Sequence, residues 1–157
     1  MNAERAKGFV AYLLASKMYT CKEIYQKLLR KGCDEDTAEQ VVNDFCSAGL
    51  LNDEEYAKMY IHDAVNIHNK GFYRIKQELV KKGIASSVID RAAEESEDDI
   101  GNQLMEYVKL KFGDREFEDR GELEKAKAHL LRRGYSISDI NKCFRTLDIK
   151  VNRGDWF

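Results

Sequence analysis

The side chains able to do chemistry are spaced in ways that argue against catalysis. Cys21, Cys33, Cys46 and Cys143 have neither CxxC spacing nor histidines beside them. A shift of 51 residues places Cys21 on Phe72, Cys33 on Ile84, and Cys143 on Ala92 and Val41, all apolar positions, so the thiols are predicted to be small core residues rather than ligands or disulfides. His62 and His68 fall on different faces of one expected helix, and His129 stands alone. No metal site and no cofactor are expected. There is no GxxxxGK[ST] loop, no GxSxG, no HExxH and no glycine-rich dinucleotide turn. The many acids are what solvated helices of this composition carry, and no pair of them sits in an apolar setting. No catalytic residue is predicted, and no enzyme.

The basic side chains carry more information. Residues 22–31 and 74–82 each carry a net charge of +3, and residues 122–133 carry +2, whereas residues 34–48 hold Asp34, Glu35, Asp36, Glu39 and Asp44 and no base. Lys27, Arg30, Arg74, Lys76, Lys81, Lys125, Lys127 and Arg132 are therefore candidates for meeting an acidic partner, joined near the C-terminus by Lys142 and Arg145. A net charge of −2 over 157 residues excludes bulk coating of nucleic acid but not a local basic stripe.

These cations lie on elements that repeat. Lys27-Leu28-Leu29-Arg30-Lys31-Gly32, Glu78-Leu79-Val80-Lys81-Lys82-Gly83 and His129-Leu130-Leu131-Arg132-Arg133-Gly134 are three copies of one helix ending, and their glycines are evenly spaced. At about 100° per residue, Arg30 points roughly 140° away from the midpoint of Ile24 and Leu28, and Lys31 only about 40° away. Arg30, Lys81 and Arg132 are thus predicted to face a partner. Lys31, Lys82 and Arg133 are predicted to lie over the core and serve the helix end.

Around each ending, apolar residues recur at helical spacing. Phe9, Val10, Leu13 and Leu14 map onto Tyr60, Ile61, Ala64 and Val65. Ala38, Val41, Val42 and Phe45 make a third helix in the first unit, and Ile137, Ile140, Cys143, Phe144 and Leu147 its counterpart in the third. Thr20 with Glu23, and Asn52 with Glu55, have the form of capping boxes; Asn52 and Asp53 are assigned to a structural cap. Gly71 is read as the stop of the helix that begins there, with His68 loosely on its apolar face. Gly113 to Gly121 is read as a polar loop, and Glu94 to Asp99 as a join between helices. Proline is absent. The predicted architecture is all-α: three tandem three-helix units at 1–49, 50–96 and 97–150 in an elongated, curved array, with a tail over 151–157.

The run Gly49-Leu50-Leu51-Asn52-Asp53-Glu54-Glu55-Tyr56-Ala57, followed by Gly71-x-x-Arg74-Ile75-x-x-Glu78-Leu79-x-x-Lys82-Gly83-Ile84, resembles the central signature of the RecX family of bacterial recombination regulators. Asn52 stands where that family usually has an acid. The residues carrying the resemblance, Asn52, Asp53, Tyr56, Ala57, Gly71, Ile75, Leu79 and Gly83, are taken as its structural motif. The resemblance implies a regulator in DNA repair and the SOS response that binds the RecA recombinase filament on single-stranded DNA. Such binding lowers the filament's ATP hydrolysis and strand exchange.

The competing readings are a duplex-DNA-binding regulator and a helical-repeat scaffold with another protein partner. The first needs a basic third helix, which units one and two lack. A cytoplasmic monomer is expected, without a membrane segment or small-molecule substrate, because no signal-peptide core and no apolar run of bilayer length occurs.

Overall fold

The computed structural model describes residues 1–113 and 116–151. Among these the regular elements are nine α-helices: α1 (Ala3–Ser16), α2 (Cys21–Arg30), α3 (Glu35–Ser47), α4 (Asp53–Asn66), α5 (Phe72–Lys81), α6 (Ser86–Glu94), α7 (Glu97–Phe112), α8 (Arg120–Arg132) and α9 (Ile137–Thr146). They form the all-α helical-repeat fold that the periodicity predicts. One isolated parallel bridge joins Phe117 to Val151.

The repeat is visible position by position. Leu28, Leu79 and Leu130 are fully buried, as are Ala38, Ile89 and Ile140. Val10, Ile61 and Val108 occupy the corresponding place in the first helix of each repeat, again fully buried. Each middle helix ends alike. Gly32, Gly83 and Gly134 adopt φ of 96°, 92° and 100°, and the next residue's N–H donates back to the carbonyls of Leu28, Leu79 and Leu130. This double-bonded termination needs a left-handed residue, which glycine supplies without Cβ strain.

The chain divides into two compact units: residues 1–60 with 78–93, and residues 61–77 with the described residues from 94 onward. The boundary cuts α4 and α5. In the first unit, Ala6, Val10, Ile24, Leu28, Cys33, Ala38, Val41, Phe45 and Leu51 form one core. Thr20 is fully buried, accepts from Glu23 N–H, and has the reciprocal Glu23 carboxylate on its own N–H, so the predicted capping box is complete. In the second unit, Leu104, Val108, Phe112, Phe117, Leu130, Ile140 and Phe144 are core members.

Three local expectations need correction, and one holds. The helix begun at Asn52 stops at Asn66, well before Gly71; Asn69, at φ 51°, takes the left-handed turn, and Lys70 N–H donates to Ala64 O. Gly71 is buried for a different reason, described below. His68 is exposed, not on the apolar face. The loop read as polar contains Phe117, only 1% exposed, its ring tilted against that of Phe112 with centroids 5.8 Å apart. Its Asp114 and Arg115, and the tail residues Arg153, Trp156 and Phe157, lie outside the described residues. The acidic run at 94–99 is a join: Glu95 and Ser96 separate α6 from α7.

Candidate partner-binding surface

In the first unit, α2 presents Lys27 and Arg30, and the end of α5 presents Lys81. Arg30 and Lys81 are exposed, while Lys27 is half-buried with its ammonium 5.4 Å from the Tyr19 ring. In the second unit, Lys125, Arg132, Lys142 and Arg145 are exposed, and Arg74, Lys76 and Lys127 are half-buried. Lys127 stands over the Phe144 ring at 5.7 Å. The structure brings two of the candidates together: Lys127 and Arg145 line a cleft of about 410 Å³ between α8 and α9, with Leu123, Asn141, Phe144, Asp148 and Ile149.

The second cation of each ending stands near a ring of the fold, but only Lys82 and Arg133 are half-buried; Lys31 is exposed, not laid over the core as expected. Lys31 lies 5.3 Å from the Phe9 ring, Lys82 5.9 Å from Tyr60, and Arg133 5.7 Å from Tyr107. Phe9, Tyr60 and Tyr107 are equivalent positions in successive first helices, so one cation–aromatic pair recurs in every repeat. Lys82 adds an ion pair with Glu23 at 3.7 Å. The Arg133 guanidinium donates to the carbonyls of Asn69, at 2.9 Å, and His68.

Lys82 and Arg133 sit where one middle helix ends against the start of another. In the first unit, Thr20 at the head of α2 donates its hydroxyl to Lys82 O at 2.8 Å. In the second, Gly71 N–H donates to Arg133 O at 2.7 Å and Tyr73 N–H to Gly134 O at 3.2 Å. Both arrangements set orphan carbonyls of one helix against the donors of another helix's first turn. Gly71 is therefore glycine because a Cβ there would run into the backbone of Gly134 and Tyr135. A Cβ on Gly134 would meet Arg74 Cβ at 2.5 Å, and one on Gly83 would meet the Lys22 side chain.

The remaining motif residues follow the same logic. Tyr56, Ala57, Ile75 and Leu79 are buried. Asn52 caps α4, accepting from Glu55 N–H at 3.2 Å. Asp53 does more than the cap assigned to it: its carboxylate accepts from Cys21 N–H at 2.9 Å and so closes the head of α2. Adjacent to this, the expectation of four core thiols fails for two of them. Cys33 and Cys143 are buried, but Cys46 is exposed, Cys21 is half-buried, and their sulfurs are 3.1 Å apart. Mapping Cys21 onto Phe72 gave no hint of this, because Cys46 comes from a different helix and its approach is a tertiary fact.

Burial, with help from Lys111, Arg133 and Arg132, holds the His129 imidazole below its usual pKa, and its Nε2 lies 2.9 Å from the Tyr107 hydroxyl. Burial pushes the Tyr135 hydroxyl up to about 12. No group of three or more metal-ligating side chains occurs among the described residues, and no helix among them is long and apolar enough to cross a membrane.

The helices and their glycine-ended middle members define an all-helical protein built of three-helix units. Residues 6–45 match the family model for the first three-helix domain of RecX, and residues 52–92 the model for the second. The chain belongs to the RecX family. It is 29% identical over 154 residues to a regulatory protein RecX of Halorhodospira halophila, covering 98% of this chain and 95% of that one. It is 27% identical to a regulatory protein RecX of Lactococcus lactis, where the match covers 94% of this chain and 57% of the relative's length. The crystal structure of RecX from Lactobacillus salivarius superposes with a TM-score of 0.81 at 25% identity, over 93% of this chain and 96% of that one. These relatives are regulatory proteins by name.

Proposed function

We propose that the chain binds the RecA recombinase filament on single-stranded DNA and lowers its ATP hydrolysis and strand exchange. It does so as a non-enzymatic regulator, through Arg30, Lys81 and Arg132. Membership of the RecX family carries this reading. The residue assignment is supported by the second and third helix endings, where Lys82 and Arg133 are half-buried in the fold's own contacts and Lys81 and Arg132 stand exposed on the same turn; in the first ending Arg30 and Lys31 are both exposed, and Lys31 lies against the Phe9 ring. Lys27 in the first compact unit, and Arg74, Lys76, Lys125, Lys127, Lys142 and Arg145 in the second, are the further candidates for the same partner. The three units of the array are assigned to 1–49, 50–96 and 97–150.

The test is recombinase ATP hydrolysis on single-stranded DNA, with parent chain, R30E/K81E/R132E and K31E/K82E/R133E, at two salt concentrations. The first triple variant keeps its stability within about 0.5 kcal/mol per site and loses inhibition. The parent's inhibition weakens as salt rises if the surface meets phosphate. The second variant loses thermal stability first, because each carboxylate meets a helix C-terminus. If the first variant inhibits like the parent at both salts, these cations are only solvated surface. If the parent itself neither binds nor inhibits the filament, the partner is wrong.

A further inference from the structure

Two thiols from different helices converge without a structural need to do so. Cys21 is the first residue of α2 and Cys46 lies in the last turn of α3; their sulfurs are 3.1 Å apart. A disulfide needs about 2.05 Å, so closure asks for a shift of roughly 1 Å, within the freedom of two χ1 rotations. The surroundings differ between the two. Cys46 is open to solvent, while Cys21 is half-buried with its backbone N–H held by Asp53. The other thiols, Cys33 and Cys143, are buried, each in the core of its own unit.

We propose that Cys21 and Cys46 are a redox modification site, a dithiol that closes to a disulfide when hydrogen peroxide reaches Cys46. The Cys46 thiolate attacks one peroxide oxygen, the O–O bond breaks, and the departing hydroxide takes a proton to leave as water. Cys46 is now a sulfenic acid. The Cys21 sulfur attacks the Cys46 sulfur, the S–O bond breaks, and the leaving hydroxide takes the Cys21 proton as a second water. Two thiols are oxidised by two electrons and one hydrogen peroxide is reduced to two waters.

The order follows from the environment. Burial first, then the contact with Cys46 and the Asp53 carboxylate, holds the Cys21 thiol well above its ordinary pKa. Cys21 therefore stays protonated and waits, and the exposed Cys46 meets the oxidant. The bond would tie the head of α2 to the end of α3. It would do so beside the two contacts by which α4 and α5 hold that head, Asp53 to Cys21 N–H and Lys82 O to the Thr20 hydroxyl. Oxidation thus fastens the place where the second repeat meets the first.

The experiment treats the full-length reduced chain with hydrogen peroxide, counts free thiols, and maps peptides by mass spectrometry without reductant. The expected result is loss of two of the four thiols, one linked peptide pair containing Cys21 and Cys46, and recovery on adding a dithiol reductant. The oxidised chain melts several degrees higher, and Cys21→Ser and Cys46→Ser each abolish both the linkage and the shift. C33S/C143S keeps them. Sulfinic acid at Cys46 without a linked peptide, an intermolecular Cys46 dimer as the main product, or linkage through Cys33 or Cys143 would each overturn the proposal. None of these readouts involves a recombinase, so failure here is separate from failure of the proposed function.

Discussion

Replacing the glycines that end the middle helices with alanine separates backbone strain from close packing, because the three positions share one conformation and differ in neighbours. Gly32, Gly83 and Gly134 all have φ near +95°, between 92° and 100°. An alanine there pays left-handed strain of about 1–2 kcal/mol, partly offset by about 0.4–1 kcal/mol from a less flexible unfolded chain. At Gly32 nothing lies within 4 Å of the added methyl, so the net loss is about 1 kcal/mol from these two terms. At Gly134 the methyl meets Arg74 Cβ at 2.5 Å and Arg74 N at 2.7 Å, atoms that cannot swing away. Overpacking of that kind adds about 1–3 kcal/mol, giving about 2–4 kcal/mol in all. Gly71→Ala carries no φ strain but drives a methyl into the Gly134 backbone, and the bonds from Gly71 N–H and Tyr73 N–H must lengthen.

Urea unfolding of the full chain followed by far-ultraviolet circular dichroism measures these losses. The expected order is Gly32→Ala mildest, with Gly71→Ala and Gly134→Ala both larger. The Gly71→Ala/Gly134→Ala double variant should lose less than the sum, since both break one contact. If Gly32→Ala proves as damaging as Gly134→Ala, helix docking does not explain the glycines and conformational strain alone does.

Four further outcomes are expected. Thr20→Val removes an N-cap and the bond to Lys82 O together, and should lower stability by about 1–2 kcal/mol in thermal melts; no change would mean that the junction does not bear on stability. Tyr135→Phe removes a buried hydroxyl that has no hydrogen-bond partner among the described residues, so stability should hold or rise by up to about 1 kcal/mol; a clear loss would reveal a partner. Because His129 is depressed below its ordinary 6.5 in the fold, the unfolded chain binds its proton first, and stability should fall as pH drops through about 6.5. His129→Gln should flatten that part of a pH–stability profile, and an unchanged slope would assign it to another group. Asn52→Ala should lower stability by about 1 kcal/mol, while Asp99→Ala, within an exposed run, should stay within about 0.5 kcal/mol; equal effects in the two melts would remove the capping argument.

The sequence by itself determined the helices among the described residues, their repeat, and most of the core. Helical periodicity and glycine termination are local properties, and a repeat with a shift of 51 writes them out more than once. The angle that set Lys31 over the core did not foresee that it is exposed like Arg30. Tertiary structure decided everything that depends on which helix end meets which. Gly71 reads locally as a stop, and only the approach of the Gly134 backbone explains its missing side chain. Asp53 reads as part of its own helix's cap, yet its carboxylate serves the N–H of Cys21, 32 residues earlier. Phe117 sits in a polar stretch, and only packing against Phe112 makes it core. Cys21 and Cys46 read as unrelated thiols, because no periodicity within one chain segment can say which residues from two helices will touch.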